Sequence, residues 1–223
     1  MMGGFLVTID GPAGSGKSSV ARAVAGRLGA VNLNTGAAYR TAALLAIREG
    51  ANLDDGSRLA ELASRVGLDP DGARIDGVRV PEPDLRAPEV SAAASKVSAH
   101  PELREVLLPV QRAAAEQARR RGGAVVEGRD IGTVVLPDAE LKVYLSAAPE
   151  ERARRRASQT GKEGELDRIQ RAIARRDRQD SEREVSPLVP APDAVVLDTT
   201  ALSLDEVISR VLDLAEGLRK EAP

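Results

Sequence analysis

The sequence has no cysteine, which excludes disulfides, thiol nucleophiles and cysteine-based zinc sites. Aromatic residues are almost absent: no tryptophan, two tyrosines and one phenylalanine (Phe5, Tyr39, Tyr144). So few rings exclude the stacking platforms that hold single-stranded nucleic acid, and they leave the packing to aliphatic side chains and alanine. The single histidine, His100, excludes His-rich metal sites and most histidine-based triads. No uncharged apolar run approaches the ~18 residues needed to cross a membrane. No basic residue precedes Lys17, so the charged start of a secretory signal is missing, and a cytoplasmic location is expected. The net charge of −2 gives the molecule no bulk attraction for polyanions. What remains is 223 residues, 42% hydrophobic. That is ordinary for a soluble domain with a real core, and long enough for one large domain or one carrying insertions.

Short β-rich runs alternate with helical patterns. Phe5 to Ile9 reads as a buried strand ended by Gly11-Pro12. Val20, Val24 and Leu28 recur every four residues in a helix over 18–28. A strand is expected at 30–33 and a helix over 35–49, stopped by Gly50. From 52 to 88 Gly, Asp and Pro become frequent, and 74–80 reads as a hairpin turning at Asp76-Gly77. Further helices are expected over 88–98, 101–121, 149 onward and 166–180, and strands over 124–127, 141–145 and 194–197. Ser203 and Glu206 have the spacing of a capping box opening the last helix. Such alternation predicts a parallel sheet with helices on both faces.

Gly11-Pro12-Ala13-Gly14-Ser15-Gly16-Lys17-Ser18 fits G-x-x-x-x-G-K-[ST] at every fixed position. From composition, a chance match in this chain is expected on the order of 0.004 times. A strand precedes the motif and a helix follows. The glycines let consecutive N–H groups turn inward onto phosphate oxygens, and the helix start adds its positive dipole end. Lys17 would reach the β- and γ-phosphates, and the Ser18 hydroxyl can ligate Mg²⁺.

The basic residues are 27 arginines and 5 lysines. Arginine's planar fork suits two-point contact with phosphate. Residues 152–183 hold eleven Lys/Arg against six Asp/Glu. Arg176, Asp180 and Arg183 are spaced i, i+4, i+7, so they share a helix face if the helix persists, directing two cations and one acceptor into a cleft. On spacing alone, surface ion pairs are the competing reading.

The order of motifs resembles the bacterial cytidylate kinases. The resemblance rests on 11–19, on Asn34-Thr-Gly-Ala-Ala-Tyr-Arg40, on Glu127-Gly-Arg-Asp-Ile-Gly-Thr133 running on to Asp138, on Arg176-Asp-Arg-Gln-Asp180, on Ser186-Pro-Leu188 and on 193–200. It covers nearly the whole chain. It implies an α/β, adenylate-kinase-like P-loop NTPase fold: a three-layer parallel sheet with a nucleoside-monophosphate-binding insert and a short lid. The implied divisions are a core of about 1–35, 122–150 and 190–223, an insert of about 36–121, and a lid with basic helices of about 151–189. It also implies transfer of the γ-phosphoryl group of ATP to CMP or dCMP, with Mg²⁺. Position by position, Gly11 through Ser19 would hold the ATP phosphates and Arg155 would close over ATP. Thr35, Arg40, Gly128, Arg129 and Arg183 would hold the acceptor phosphate, Ser95, Arg104 and Asp130 would read cytosine, and Arg176 and Asp180 would meet the sugar. Lys17, Arg129, Arg155 and Arg183 would be the catalytic cations.

The chemistry suits these residue types. Cytosine offers an N4 amino donor that Asp130 can accept from, and O2 and N3 acceptors for Arg104 and Ser95. Uracil presents an oxygen at that edge, which a carboxylate repels. Without the resemblance, Ser95 and Arg104 read as helix-surface residues, Tyr39 as a packing residue, His100 as a helix-entry residue, and Asp130 as a partner of Arg129 or a turn cap. The sequence departs from the family at Asn34, where Asp is frequent, at Thr35, where Ser is common, and at Glu127, where Asp is frequent. Thr35 keeps the hydroxyl; Glu127 must reach one methylene further in any Mg²⁺ role. Two rival readings are another small-molecule P-loop kinase and an ATP-dependent RNA-binding or regulatory module using 152–183. The latter is disfavoured by the aromatic count and the net charge. A monomer acting on free nucleotides, with no stable nucleic-acid or membrane partner, is expected.

Overall fold

In the computed structural model, which describes residues 4–221, the first strand β1 runs Phe5–Asp10. Its side chains alternate between two cores, which fixes its place at the centre of the sheet. Val7 and Ile9 face one helical layer, and Leu6 faces the other. The remaining sheet strands are β2 (Val31–Asn34), β6 (Gly123–Glu127), β7 (Leu141–Ser146) and β8 (Val195–Asp198). All pair in parallel, in the order β2-β6-β1-β7-β8. In such a sheet the loops at the carboxyl ends of the strands form the crevice where ligands bind.

Helix α1 (Lys17–Leu28) packs Val20, Ala21 and Val24 under β1 together with Val207 and Val211 of α9 (Leu204–Glu221). The Ser203 cap forms as the spacing predicts, with Ser203 N–H and hydroxyl donating to Glu206. The opposite layer is α2 (Gly36–Arg48), α3 (Gly56–Ala63), α5 (Pro88–Val97) and α6 (Pro101–Arg120). Helix α6 buries Leu103, Leu107, Ala114, Ala115 and Ala118 completely. Truncating Leu103 or Leu107 to alanine costs about 2–5 kcal/mol. Layered in this way, the chain has the α/β fold expected, with helices on both faces of a parallel sheet.

Between α3 and α5 lie a small antiparallel sheet, β3 (Val66–Asp69), β4 (Gly72–Ile75) and β5 (Val78–Arg79), and the short helix α4 (Glu82–Arg86). The hairpin turns at Asp76 and Gly77, with φ of 50° and 80°. Two positive φ angles make the primed turn whose twist suits a two-residue hairpin. Strand β3 and helices α3 and α4 have no counterpart in the sequence reading. A five-residue π-turn, Ile131–Val135, is likewise unforeseen. The basic stretch forms α7 (Pro149–Thr160) and α8 (Leu166–Ser181).

Candidate active site

The phosphate loop follows β1 directly. Gly11 has φ of 141°, and a Cβ there would stand 2.1 Å from the Leu145 carbonyl oxygen. Gly14 has φ of 79°, and its Cβ would meet the Arg152 carbonyl oxygen at 2.7 Å. Only glycine permits this curl against β7 and α7. Lys17 is buried and folds back over the loop, donating to the Pro12 carbonyl at 2.6 Å and to Ser15 Oγ at 3.3 Å. Its pKa is driven down by burial and then by Arg129, against the pull of Glu127.

Ser18 Oγ donates to Glu127 Oε2 at 2.6 Å, and Asn34 Nδ2 donates to Glu127 Oε1 at 2.9 Å. Glu127 ends β6 beside β1 and does reach the loop, extra methylene included. A hydroxyl and a carboxylate side by side are hard oxygen donors of the kind Mg²⁺ takes alongside phosphate oxygens and water. Among the described residues no group of three or more His, Cys, Asp or Glu could hold a metal by itself. The donor set therefore fits a metal that arrives with a phosphate ligand.

Helix α8 reaches the same loop. Asp177 accepts from the Ala13 N–H at 3.1 Å and pairs with Arg152, which donates to the Ala13 carbonyl at 3.1 Å. Arg155, one turn along α7, is turned elsewhere: its described hydrogen bonds run to Glu151, Thr199 and Leu202. Arg152, not Arg155, is the α7 arginine on the loop.

Opposite the loop, arginines from four segments converge. Arg129, after β6, donates to the Gly11 carbonyl at 3.0 Å and to Asp180 at 3.0 Å. Arg183 also pairs with Asp180, which is 1% exposed. Helix α8 ends at Ser181, so Arg183 lies beyond it and still meets the Asp180 carboxylate. Arg40, in α2, donates to Asn34 Oδ1 at 3.1 Å. Arg176 lies 3.9 Å from Asp180, with its Nε unpartnered. Burial, followed by Arg129, Arg40 and Arg183, pushes the Arg176 pKa down to about 9. Burial and Arg104 push Arg183 down to about 10. Guanidinium groups so crowded keep their protons at neutral pH. The crowding is therefore felt as repulsion, which an anion among them relieves.

A third group sits beyond Arg183. Arg104 and Asp130 form an ion pair with both side chains 7% exposed. Arg104 also donates to the Ser98 carbonyl at 3.2 Å and lies 5.3 Å from the centre of the Tyr39 ring. Burial pushes the Tyr39 hydroxyl up to about 12. Ser95 Oγ lies 3.4 Å from Gln179 Oε1, and Gln179 donates back to the Ser95 carbonyl at 3.1 Å. Asp130 thus pairs with Arg104, neither with Arg129 nor as a turn cap. Thr35, 2% exposed, donates its hydroxyl to the Glu127 carbonyl at 2.9 Å beside Gly128. His100 opens α6 as expected, its Nε2 2.9 Å from the Leu53 carbonyl.

Lys17, Arg40, Arg129, Arg176, Asp180 and Arg183 are brought together around one cleft, with Ser95, Arg104 and Asp130 beside it. Sequence reasoning assigned no role to Asp10, Arg152, Asp177 and Gln179, although Asp177 and Gln179 lie inside the 176–180 motif; Asp10 and Arg152 stand in no pattern that separates them from neighbouring residues. A cavity of about 350 Å³ is lined by Arg40 and Asn34 together with residues of β4 and α4. It shares Arg40 and Asn34 with this cleft but none of the loop.

A family model described as cytidylate kinase matches residues 7–217. A cytidylate kinase of Rhodococcus opacus (strain B4) is 49% identical over 217 residues, covering 93% of this chain and 93% of the relative. One from Desulfitobacterium hafniense (strain Y51) is 46% identical over 216 residues, covering 93% and 91%. The solved structure of an uncharacterized protein from Eubacterium ventriosum aligns over 95% of this chain and 98% of its own, with a TM-score of 0.54 and 8% identity. That likeness is one of fold alone.

Proposed function

The chain belongs to the cytidylate kinase family, and from that premise we propose how its residues perform the transfer. The reaction is ATP + CMP (or dCMP) ⇌ ADP + CDP (or dCDP). The ATP phosphates lie on the amides of 11–19, and Lys17 leaves the Pro12 carbonyl to meet the β- and γ-oxygens. Arg40, Arg129 and Arg183, with Thr35 and Gly128, hold the phosphate of the acceptor. Arg176 is close enough to the acceptor arginines and to Lys17 to be repelled by them. Asp180 ties Arg129 to Arg183 and meets the sugar with Arg176.

Asp130 accepts from the cytosine amino group, and Arg104 and Ser95 face its O2 and N3. Arg155, bonded to Glu151, Thr199 and Leu202, would have to leave these partners to close over ATP. Ser18 and Glu127 would hold Mg²⁺, which when bound neutralises phosphate charge and orients the tails. The acceptor is already an anion, so no general base is needed. The residues supply positioning and charge, and closure of 151–189 over the core excludes water. The insert of about 36–121 carries the acceptor side. The reading extends to a monomeric cytoplasmic enzyme acting on free nucleotides.

The observation that carries these assignments is the convergence of Arg129, Arg176 and Arg183 on the single Asp180 carboxylate beside the loop, with Arg40 close enough to be felt by Arg176. A coupled ADP-release assay with CMP, dCMP, UMP, AMP and shikimate tests it. CMP and dCMP are expected to turn over far faster than the others. UMP used as well as CMP would refute the role of Asp130.

A further inference from the structure

Asp10 ends β1 with its carboxylate buried, 6% exposed. Its two oxygens are both taken from one direction: Ile131 N–H donates to Oδ1 at 3.0 Å and Gly132 N–H to Oδ2 at 2.8 Å. These are first-turn amides of the π-turn Ile131–Val135, which have no partner within their own turn. An acidic residue immediately before such a turn ordinarily supplies the cap. That residue here is Asp130, and it makes no capping bond. Its carboxylate goes to Arg104 instead.

We infer that Asp10 is a positioning residue for the acceptor side: by capping the turn from a neighbouring strand, it frees the Asp130 carboxylate to face the base and fixes the backbone that aims Arg129. The inference rests on the reading of Asp130 and Arg129 given above. The neighbouring bonds support it. Gly128 N–H donates to the Ile9 carbonyl at 3.1 Å, so residues 129 and 130 are pinned on both sides, each time to the last two residues of β1. The next residue, Gly11, receives Arg129. One strand end therefore launches the phosphate loop and registers the acceptor turn against it. Two adjacent N–H donors require two acceptor oxygens. Asparagine offers one and sets an NH₂ against the other donor, and glutamate is one methylene too long. The carboxyl is held there despite its burial, which pushes its pKa up to about 6 against the lowering pull of the two amides. The fold thus keeps a costly charge that an uncharged cap would avoid.

The test is Asp10→Asn in the full chain, read in three ways. Amide hydrogen exchange of 128–135 is expected to speed up. With CMP, kcat/KM is expected to fall on the order of 10²-fold, the loss typical of a reacting group displaced by about 1 Å, and the preference for CMP over UMP to shrink. ATP affinity, measured directly by calorimetry, is expected to stay within about threefold, because the loop amides are untouched. Unchanged CMP kinetics with unchanged selectivity would overturn the inference. So would a variant that loses thermal stability alone, or ATP and CMP affinity equally. If Asp10→Asn does not fold, Asp10→Glu keeps the charge and displaces it. A smaller defect in the same direction is expected, and normal CMP kinetics in that variant would overturn the inference. Wild-type protein in the same assay separates the two levels: no use of CMP by the wild type refutes the functional reading, whereas exchange at 131 and 132 reports the Asp10 cap whatever the substrate.

Discussion

Arg129 Nη1 donates to the carbonyl oxygen of Gly11 at 3.0 Å. Through this one bond the segment that ends in Asp130 touches the first residue of the phosphate loop. On the proposed reading, this bond sets the acceptor side in register with the phosphate loop before any nucleotide arrives. The same guanidinium holds Asp180 through Nε, which brings Arg183 and the end of α8 to the same place.

Arg176 is repelled by Arg129, Arg40 and Arg183 in the empty protein, a cost that the proposed binding of CMP would offset. The pKa of Arg176 is lowered toward about 9, which means its charged form is disfavoured in the fold. Removing that charge is expected to leave the unliganded midpoint of Arg176→Gln equal to or above the wild type. In the wild type, CMP at 100 times its Kd is expected to stabilise by about 2.7 kcal/mol; the variant should lose most of that gain. Differential scanning fluorimetry with and without CMP checks both halves. A variant that is destabilised when empty yet still stabilised by CMP would contradict the account.

Lys17→Ala removes a buried cation that folds back onto Pro12 and Ser15 of the loop. Phosphoryl transfer is expected to fall on the order of 10³-fold, as when a preorganised donor to transition-state charge is lost. Circular dichroism should show an unchanged fold. Retention of most activity would refute the electrostatic role of this lysine.

Asp130→Ala leaves Arg104 buried without its carboxylate partner, at a cost of about 3–5 kcal/mol, and it removes the proposed acceptor for the cytosine amino group. Adding Arg104→Met is expected to restore most of the stability and none of the preference for CMP over UMP. Thermal melts and competition kinetics on the two variants separate packing from recognition. Recovery of selectivity in the double variant would show that the base is read elsewhere.

Much of this was legible in the sequence where local rules are strict. The phosphate loop, the Asp76-Gly77 hairpin and the Ser203 cap each obey a fixed spacing set by backbone geometry, and each forms where that spacing puts it. Strand β3 escaped notice because four residues interrupted by Gly67 carry too little periodicity to separate from loop. The π-turn is held by Asp10 from another strand, and no local pattern records such a contact. Asp10 itself reads as an ordinary acid after an apolar run. Among Arg152, Arg154, Arg155 and Arg156, the one that meets the loop is decided by how α7 docks beside Gly14. Spacing along one helix cannot supply that. Asp177 stands between two arginines in sequence, and its turn toward Ala13 follows from the same docking.

The raised pKa of Asp10 predicts opposite trends for stability and activity. Its folded value is above its unfolded one, at about 6 against 3.8, so the folded chain holds this proton more tightly. Between about pH 4 and 6 the group's contribution to stability therefore diminishes as pH rises. Activity should move the other way: protonation below about pH 6 removes one acceptor from the Ile131–Gly132 cap, and kcat/KM for CMP falls. The charged groups that bear on Asp10 are Lys17, Asp130 and Arg129, with the Tyr144 hydroxyl close by. An acid limb near 6 in kcat/KM that disappears in Asp10→Asn is expected; a limb that persists in the variant would assign it to another group.

The central claim is that two phosphate tails meet head to head, one on the loop amides and Lys17, the other among Arg40, Arg129 and Arg183. The most direct measurement is calorimetric binding of a single molecule in which adenosine and cytidine are joined through five phosphates. If both sites face one another, the linker makes the second contact intramolecular, and affinity should exceed that of ATP by on the order of 10²-fold or more. It should also drop toward that of ATP in Arg129→Ala. Binding no tighter than ATP itself would contradict the account.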